Sequence, residues 1–194
     1  MSRLLSMAFK GDLAKLKQEF AHNPQSAHDK DVFCQAIGWN KAEIVEEFLA
    51  NGADPNSKDR HGNHPLFMAC LNSGSLRVLD ALLAAGSVHE NVPELAFVAA
   101  QCSRVEVVRR LIEVGVDFSR KNEQGITPLV SAASMGREDV VDFLLERRTA
   151  IAGLDTSKPI QPWKGCMATK EVMERIRIKI AAGKTEPLLS PHGQ

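Results

Sequence analysis

The side chains able to do chemistry are few and scattered. His61-Gly62-Asn63-His64 puts two histidines across one turn, with His89 in a later loop. A zinc site needs three or four ligands, each held in orientation by further hydrogen bonds. Two close histidines and one distant one fall short of that, so a structural role is preferred and no metal is expected. Cys102 stands next to Ser103, but a nucleophilic thiol needs a base and a lowered pKa, and no histidine is placed locally to supply them. Glu46 and Glu47 are adjacent, so on a helix they point apart and read as a solvated face, not a carboxylate dyad. Gly183-Lys184-Thr185 echoes the end of a phosphate-binding loop, yet the Gly required five residues earlier is Ile178. These residues predict no enzyme, no cofactor and no metal.

The elements that would position these groups repeat. Consecutive apolar pairs Ile44-Val45, Val78-Leu79, Val107-Val108 and Val140-Val141 are each followed by a second pair three or four residues on. Those second pairs are Phe48-Leu49, Leu82-Leu83, Leu111-Ile112 and Leu144-Leu145. This spacing makes one apolar stripe on a helix. Gly52, Gly86 and Gly115 follow three of the stripes and Arg148 takes the same slot after the fourth, at intervals of 34, 29 and 33 residues. Glycine there predicts a helix stop in the left-handed conformation. Pro65 and Pro128 sit where a preceding helix would begin, a place that tolerates the missing N–H. No single helix pair of this size buries a core, so neighbours must stack. Ile176-Arg177-Ile178-Lys179-Ile180 alternates like a strand, but Val172, Ile176 and Ile180 also share a helix face, and helix is preferred.

Composition narrows the function. Of 194 residues, 44% are hydrophobic and 25% charged, with 24 basic and 24 acidic side chains. Enough apolar content is present to exclude wholesale disorder. A zero formal charge disfavours nucleic-acid binding, which draws its affinity from phosphate neutralisation. No apolar run reaches the ~18 residues that would suggest a membrane span. The N-terminus lacks a signal-peptide core, and Cys34, Cys70, Cys102 and Cys166 form no CxxC pair. A cytoplasmic protein with free thiols, a monomer when free, is expected.

Thr127-Pro128-Leu129, the small pair Ala132-Ala133, Gly136 and the Val140-Val141 helix together resemble the ankyrin repeat. The turn Asn122-Glu123-Gln124-Gly125 precedes them as it does in that family. His64-Pro65-Leu66-Phe67-Met68-Ala69-Cys70 and Asn51-Gly52-Ala53-Asp54-Pro55-Asn56 resemble the same repeat's start and end. His64 takes the slot of a helix-capping Thr, and a capping role follows from that. The resemblance implies an all-α solenoid of stacked helix-turn-helix pairs with protruding loops. It predicts an array over residues 1–183: an N-terminal cap over 1–30, four clear repeats over 31–148, a worn C-terminal cap over 149–183, then a loose tail over 184–194.

The resemblance also implies a binding surface for another protein, on the concave side and the loop tips. Carried over by position, the tips are Lys58, Arg60, His61 and Asn63, then Lys121, Glu123, Gln124 and Ile126. The shortened repeat contributes His89, Glu90 and Asn91. The ends of the first helices are Trp39, Asn72, Cys102 and Met135. Trp39 is one of two tryptophans in a chain without tyrosine, and Trp is enriched among residues that carry binding energy. Packing between repeats is the equal alternative for it. Met135 is a flexible side chain of a kind common on binding surfaces. The function predicted is a non-catalytic module that binds one partner protein as an adaptor or stoichiometric inhibitor. A bacterial immunity protein that neutralises a secreted toxin is the second reading. An enzyme or small-molecule binder using a cleft between repeats is the third.

Overall fold

Several helix starts in this chain fall where a side chain accepts a hydrogen bond from the first turn. Ser2 accepts from Leu5 N–H, Asp12 from Lys15, Asp29 from Val32, Ser75 from Val78 and Thr127 from Val130. The computed structural model describes residues 2–71 and 75–146, with 174–175, 177–178 and 181–182. It divides into two units, Met1–Val116 and Asp117–Gln194.

In the first unit the helices are α1 (Arg3–Lys10), α2 (Leu13–His22), α3 (Lys30–Gly38) and α4 (Ala42–Ala50). They continue as α5 (Pro65–Cys70), α6 (Leu76–Ala84), α7 (Leu95–Cys102) and α8 (Val105–Glu113). Short 3-10 turns occupy Pro24–His28 and His89–Asn91. Consecutive helices pair as α1 with α2, α3 with α4, α5 with α6 and α7 with α8. First helices then pack on first helices (α1, α3, α5, α7), and second on second (α2, α4, α6, α8). The apolar stripes read from the sequence face inward: Ile44, Val45, Phe48, Val78, Leu79, Leu82, Val107, Val108 and Leu111 are all buried. Phe48 anchors this core, with Phe20 edge-on to it at 5.0 Å and Phe33 at 5.7 Å between ring centres. Gly52, Gly86 and Gly115 end the second helices with φ of 86°, 91° and 96°. That is the left-handed region, which costs a side chain dearly and glycine little.

Polar side chains stitch successive repeats about 30 positions apart. Ser103 Oγ donates to the Cys70 carbonyl at 2.9 Å, and Ser87 Oγ to the Pro55 carbonyl at 3.0 Å. Asn56 donates to the Gly86 carbonyl at 3.1 Å and accepts from Val88 N–H at 2.8 Å. On the second helices, Arg77 meets both Glu46 oxygens at 2.7 Å and Arg110 meets Asp80 at 2.7 Å.

The second unit contains α9 (Pro128–Ser134) and α10 (Glu138–Glu146), packed on each other around Leu129, Ala132, Val140 and Leu144. Glu174, Arg175, Arg177 and Ile178 are helical, in line with the preferred reading of that stretch. The expected C-terminal cap over 149–183 lies largely, and the tail over 184–194 wholly, outside the described residues, as does the Gly183-Lys184-Thr185 echo. Among the described residues no helix is long and apolar enough to cross a membrane.

Candidate partner-binding surface

Two loop tips are built the same way. In the first unit Asp59 organises the turn before α5. One of its carboxylate oxygens accepts from the backbone N–H of His61 and of Asn63, both at 2.8 Å. The other accepts from the Asn63 side chain at 2.9 Å. Gly62 closes the turn with φ 82° and donates to the Asp59 carbonyl at 3.0 Å. Burial alone would raise the Asp59 carboxyl, but the donors from Asn63 and His61 hold it below the usual carboxylate range. A carboxylate ties the tip to the previous repeat: Arg60 backbone N–H donates to Asp31 at 2.9 Å. In the second unit Asn122 does the work of Asp59. Its side-chain oxygen accepts from Gln124 N–H at 3.0 Å and Ile126 N–H at 2.9 Å, with Gly125 closing the turn.

These turns present the predicted tip residues. Lys58, Arg60 and His61 are exposed and Asn63 is half-buried. Arg60 Nε donates to His61 Nε2 at 3.2 Å, so the two side chains pack as one exposed group. Lys121, Glu123 and Gln124 are exposed and Ile126 is half-buried. The shortened repeat differs. His89 and Glu90 lie in a single 3-10 turn, with His89 Nδ1 3.5 Å from the Glu90 carboxylate. His89 is turned toward the end of α8, its Nε2 3.9 Å from where a Cβ on Gly115 would sit.

The first-helix ends carry the apolar part. Trp39 caps the C-terminus of α3 and is half-buried. Phe9, on α1, lies edge-on to it with ring centres 5.1 Å apart and is 52% exposed. Sequence reading missed Phe9. Its signal was a large aromatic in the last turn of an amphipathic helix, off the apolar stripe. Cys102 ends α7, half-buried. Met135 caps the C-terminus of α9 and is 38% exposed. Asn72 lies outside the described residues.

The histidines do not converge. His61 is exposed on the tip, His89 faces α8, and His64 is buried at the start of α5. His64 caps α5 as its slot implied: Nδ1 accepts from Leu66 N–H at 3.2 Å. Among the described residues no three His, Cys, Asp or Glu side chains are grouped to hold a metal. Cys34, Cys70 and Cys102 are in no disulfide. Burial, with Asp59 and Asp31 adding to it, pushes Cys34 up to about 12, and burial pushes Cys70 up to about 12, so neither is a thiolate at neutral pH.

Two family models, both described as ankyrin repeats, match residues 32–83 and residues 88–155, together more than half of the chain. The chain belongs to the ankyrin-repeat family. Its fold is that family's all-α solenoid: the human ASB11 ankyrin repeat domain superposes with a TM-score of 0.68 at 21% identity, covering 96% of this chain and 100% of that one. That likeness is one of fold. In sequence, the chain is 29% identical over 128 residues to alpha-latrocrustotoxin-Lt1a of Latrodectus tredecimguttatus, covering 64% of this chain and 7% of that protein. It is 30% identical over 114 residues to the protein VAPYRIN-LIKE of Medicago truncatula, covering 57% and 24%. It is 26% identical over 132 residues to the NF-kappa-B inhibitor cactus of Drosophila melanogaster, covering 50% and 26%. The chain thus spans at most about a quarter of the length of these relatives. Ankyrin repeats generally mediate protein–protein interaction.

Proposed function

We propose that this ankyrin-repeat chain is a non-catalytic module that recognises one partner protein through its first-helix ends and loop tips, acting as an adaptor or stoichiometric inhibitor. The observation that carries the reading is the Phe9–Trp39 pair. A large aromatic ring half open to solvent, backed edge-on by a second, is the kind of rigid apolar anchor on which binding energy concentrates. The tip residues Lys58, Arg60 and His61 form a polar rim held by the Asp59 turn. A surface fixed by capped helices and tied turns loses little ordering entropy on binding, which favours affinity. The inhibitor form draws support from the similarity to the cactus inhibitor. A cytoplasmic location, supported by the absence of a disulfide among the described residues, and a monomeric free state complete the reading.

The test is titration calorimetry of the purified protein against a captured partner. A one-to-one complex weakened at least ten-fold by Trp39→Ala supports the reading, and an unchanged affinity overturns the placement of the surface.

A further inference from the structure

The ends of α1 and α3 bring an aromatic pair and two ammonium groups onto one patch. Phe9 and Trp39 meet with ring centres 5.1 Å apart, and Phe9 is 52% exposed. Two residues further along both segments a second contact keeps the same register: Lys41 Nζ lies 3.9 Å from where a Cβ on Gly11 would sit. Residues two apart in a chain are at most about 7 Å apart, so the Lys41 ammonium stands within one side chain's reach of the rings. Lys10, between Phe9 and Gly11, is exposed. Asn40 links the two contacts. It takes the left-handed conformation with φ 58°, and Lys41 follows it over the end of α1. The carbonyls that end α1 favour a cation at that place.

The charges of the patch are unbalanced. On the second helices the acids of one repeat meet arginines of the next, as in Glu46–Arg77 and Asp80–Arg110. At the patch Asp12 is engaged by Lys15: one carboxylate oxygen accepts from its backbone N–H at 3.2 Å and the other meets its Nζ at 2.6 Å. Glu43, two residues past Lys41, turns to Arg77 at 3.9 Å. Lys41 makes no ion pair among the described residues, and Lys10 reaches Asp12 only as a weak through-space charge. Lys41 also occupies the slot before α4 without capping it, whereas Asp12 caps α2 and Ser75 caps α6. A cation there works against the helix dipole and forgoes a stabilising cap. Arg104 is the same choice before α8. Local rules are broken in this way where a residue serves something besides the fold.

An apolar anchor beside two unneutralised ammonium groups fits an acidic segment that carries one large apolar side chain. A basic segment would be repelled by Lys10 and Lys41. A second copy of the chain, packed about a two-fold axis, would set this positive patch against itself. Nucleic acid draws its affinity from neutralising many phosphates, more than two lysines supply. Resting on the protein-binding reading above, we propose that the patch receives an acidic segment of the partner protein, its apolar side chain on Phe9 and Trp39 and its carboxylates on Lys41 and Lys10.

The chain has two tryptophans and no tyrosine, so in Trp163→Phe protein of unchanged helical content Trp39 alone reports by fluorescence. Short synthetic peptides carry a central phenylalanine flanked by glutamates, glutamines or lysines. A fourth peptide has alanine between glutamates, and a thymidine oligonucleotide stands for nucleic acid. The expected result is a saturable change with the glutamate–phenylalanine peptide that weakens with added salt. The glutamine-flanked and alanine peptides should bind about ten-fold more weakly or worse, and the lysine peptide not at all. Lys41→Ser should weaken binding by a similar factor while the melting temperature holds or rises, because serine supplies the cap that Ser75 provides to α6. Lys41→Arg should keep it. No saturable change with the glutamate–phenylalanine peptide, equal binding of the glutamine-flanked one, unchanged binding in Lys41→Ser, or tighter binding of the oligonucleotide overturns the proposal. A captured partner lost from Trp39→Ala but held fully by Lys41→Ser overturns the acidic assignment alone and leaves the protein-binding reading standing.

Discussion

Phe9 and Trp39 meet edge-on across two successive repeats, ring centres 5.1 Å apart at 79°. The contact joins α1 to the end of α3 and leaves Phe9 half open to solvent. Phe9→Ala should therefore separate binding from folding. Partner affinity is expected to fall by ten-fold or more, in the range of anchor residues, while the melting temperature moves by no more than about 2–4 °C, the shift equivalent to about 1 kcal/mol in a chain of this size. Calorimetry and a thermal melt on the same sample check both halves.

Core truncation should do the reverse. Leu82 is fully buried on α6 between neighbouring second helices. Leu82→Ala is expected to cost about 2–5 kcal/mol in urea unfolding, the usual range when a buried leucine leaves a cavity. Partner affinity at a temperature where the variant is folded should hold, because the residue contributes nothing to the surface.

The Asp59 and Asn122 turns predict an asymmetric substitution pattern. Both side chains accept from the backbone N–H two and four residues on. Asp59→Asn should keep the tip ordered, since Asn122 already does this in the second unit. Asp59→Ala should raise amide exchange at His61 and Asn63 by roughly five- to ten-fold, the equivalent of about 1 kcal/mol per net hydrogen bond lost.

His64 predicts a pH dependence with a definite sign. Its folded pKa is lowered from 6.5, so between the two values the unfolded chain binds more protons. Stability from this group is complete above about pH 6.5 and is lost as pH falls through that value toward the folded pKa. Lys58 and Asp54 act on the ring in opposite directions. Asp59 and Asp117, whose pKa values are lowered by hydrogen bonds, lose their contributions only below about pH 4, a separate window. Melting curves from pH 7.5 to 5 should show a decline that His64→Thr flattens.

Much of this was legible in the sequence because repeats are written in local spacing. The Val78-Leu79 and Leu82-Leu83 stripe set α6, Gly86 set its end, and Pro65 set the start of α5. Residues whose role depends on a neighbour one repeat away were harder. Glu46 reads as part of a solvated face, whereas it pairs with Arg77 one repeat on, as Asp80 does with Arg110. Phe9 sits in a worn copy, where its exposure depends on how α1 meets α3. Asp59 lies five residues before His64, as Asn122 lies five before Thr127, so that equivalence is written in the spacing.

The central claim is that one partner protein is recognised through the first-helix ends. Affinity capture from the native lysate, read by mass spectrometry with wild-type protein beside a Trp39→Ala/Met135→Ala variant of unchanged helical content, tests it most directly. The account predicts one dominant protein retained by the wild type and lost from the variant. The same protein retained equally by both would contradict it.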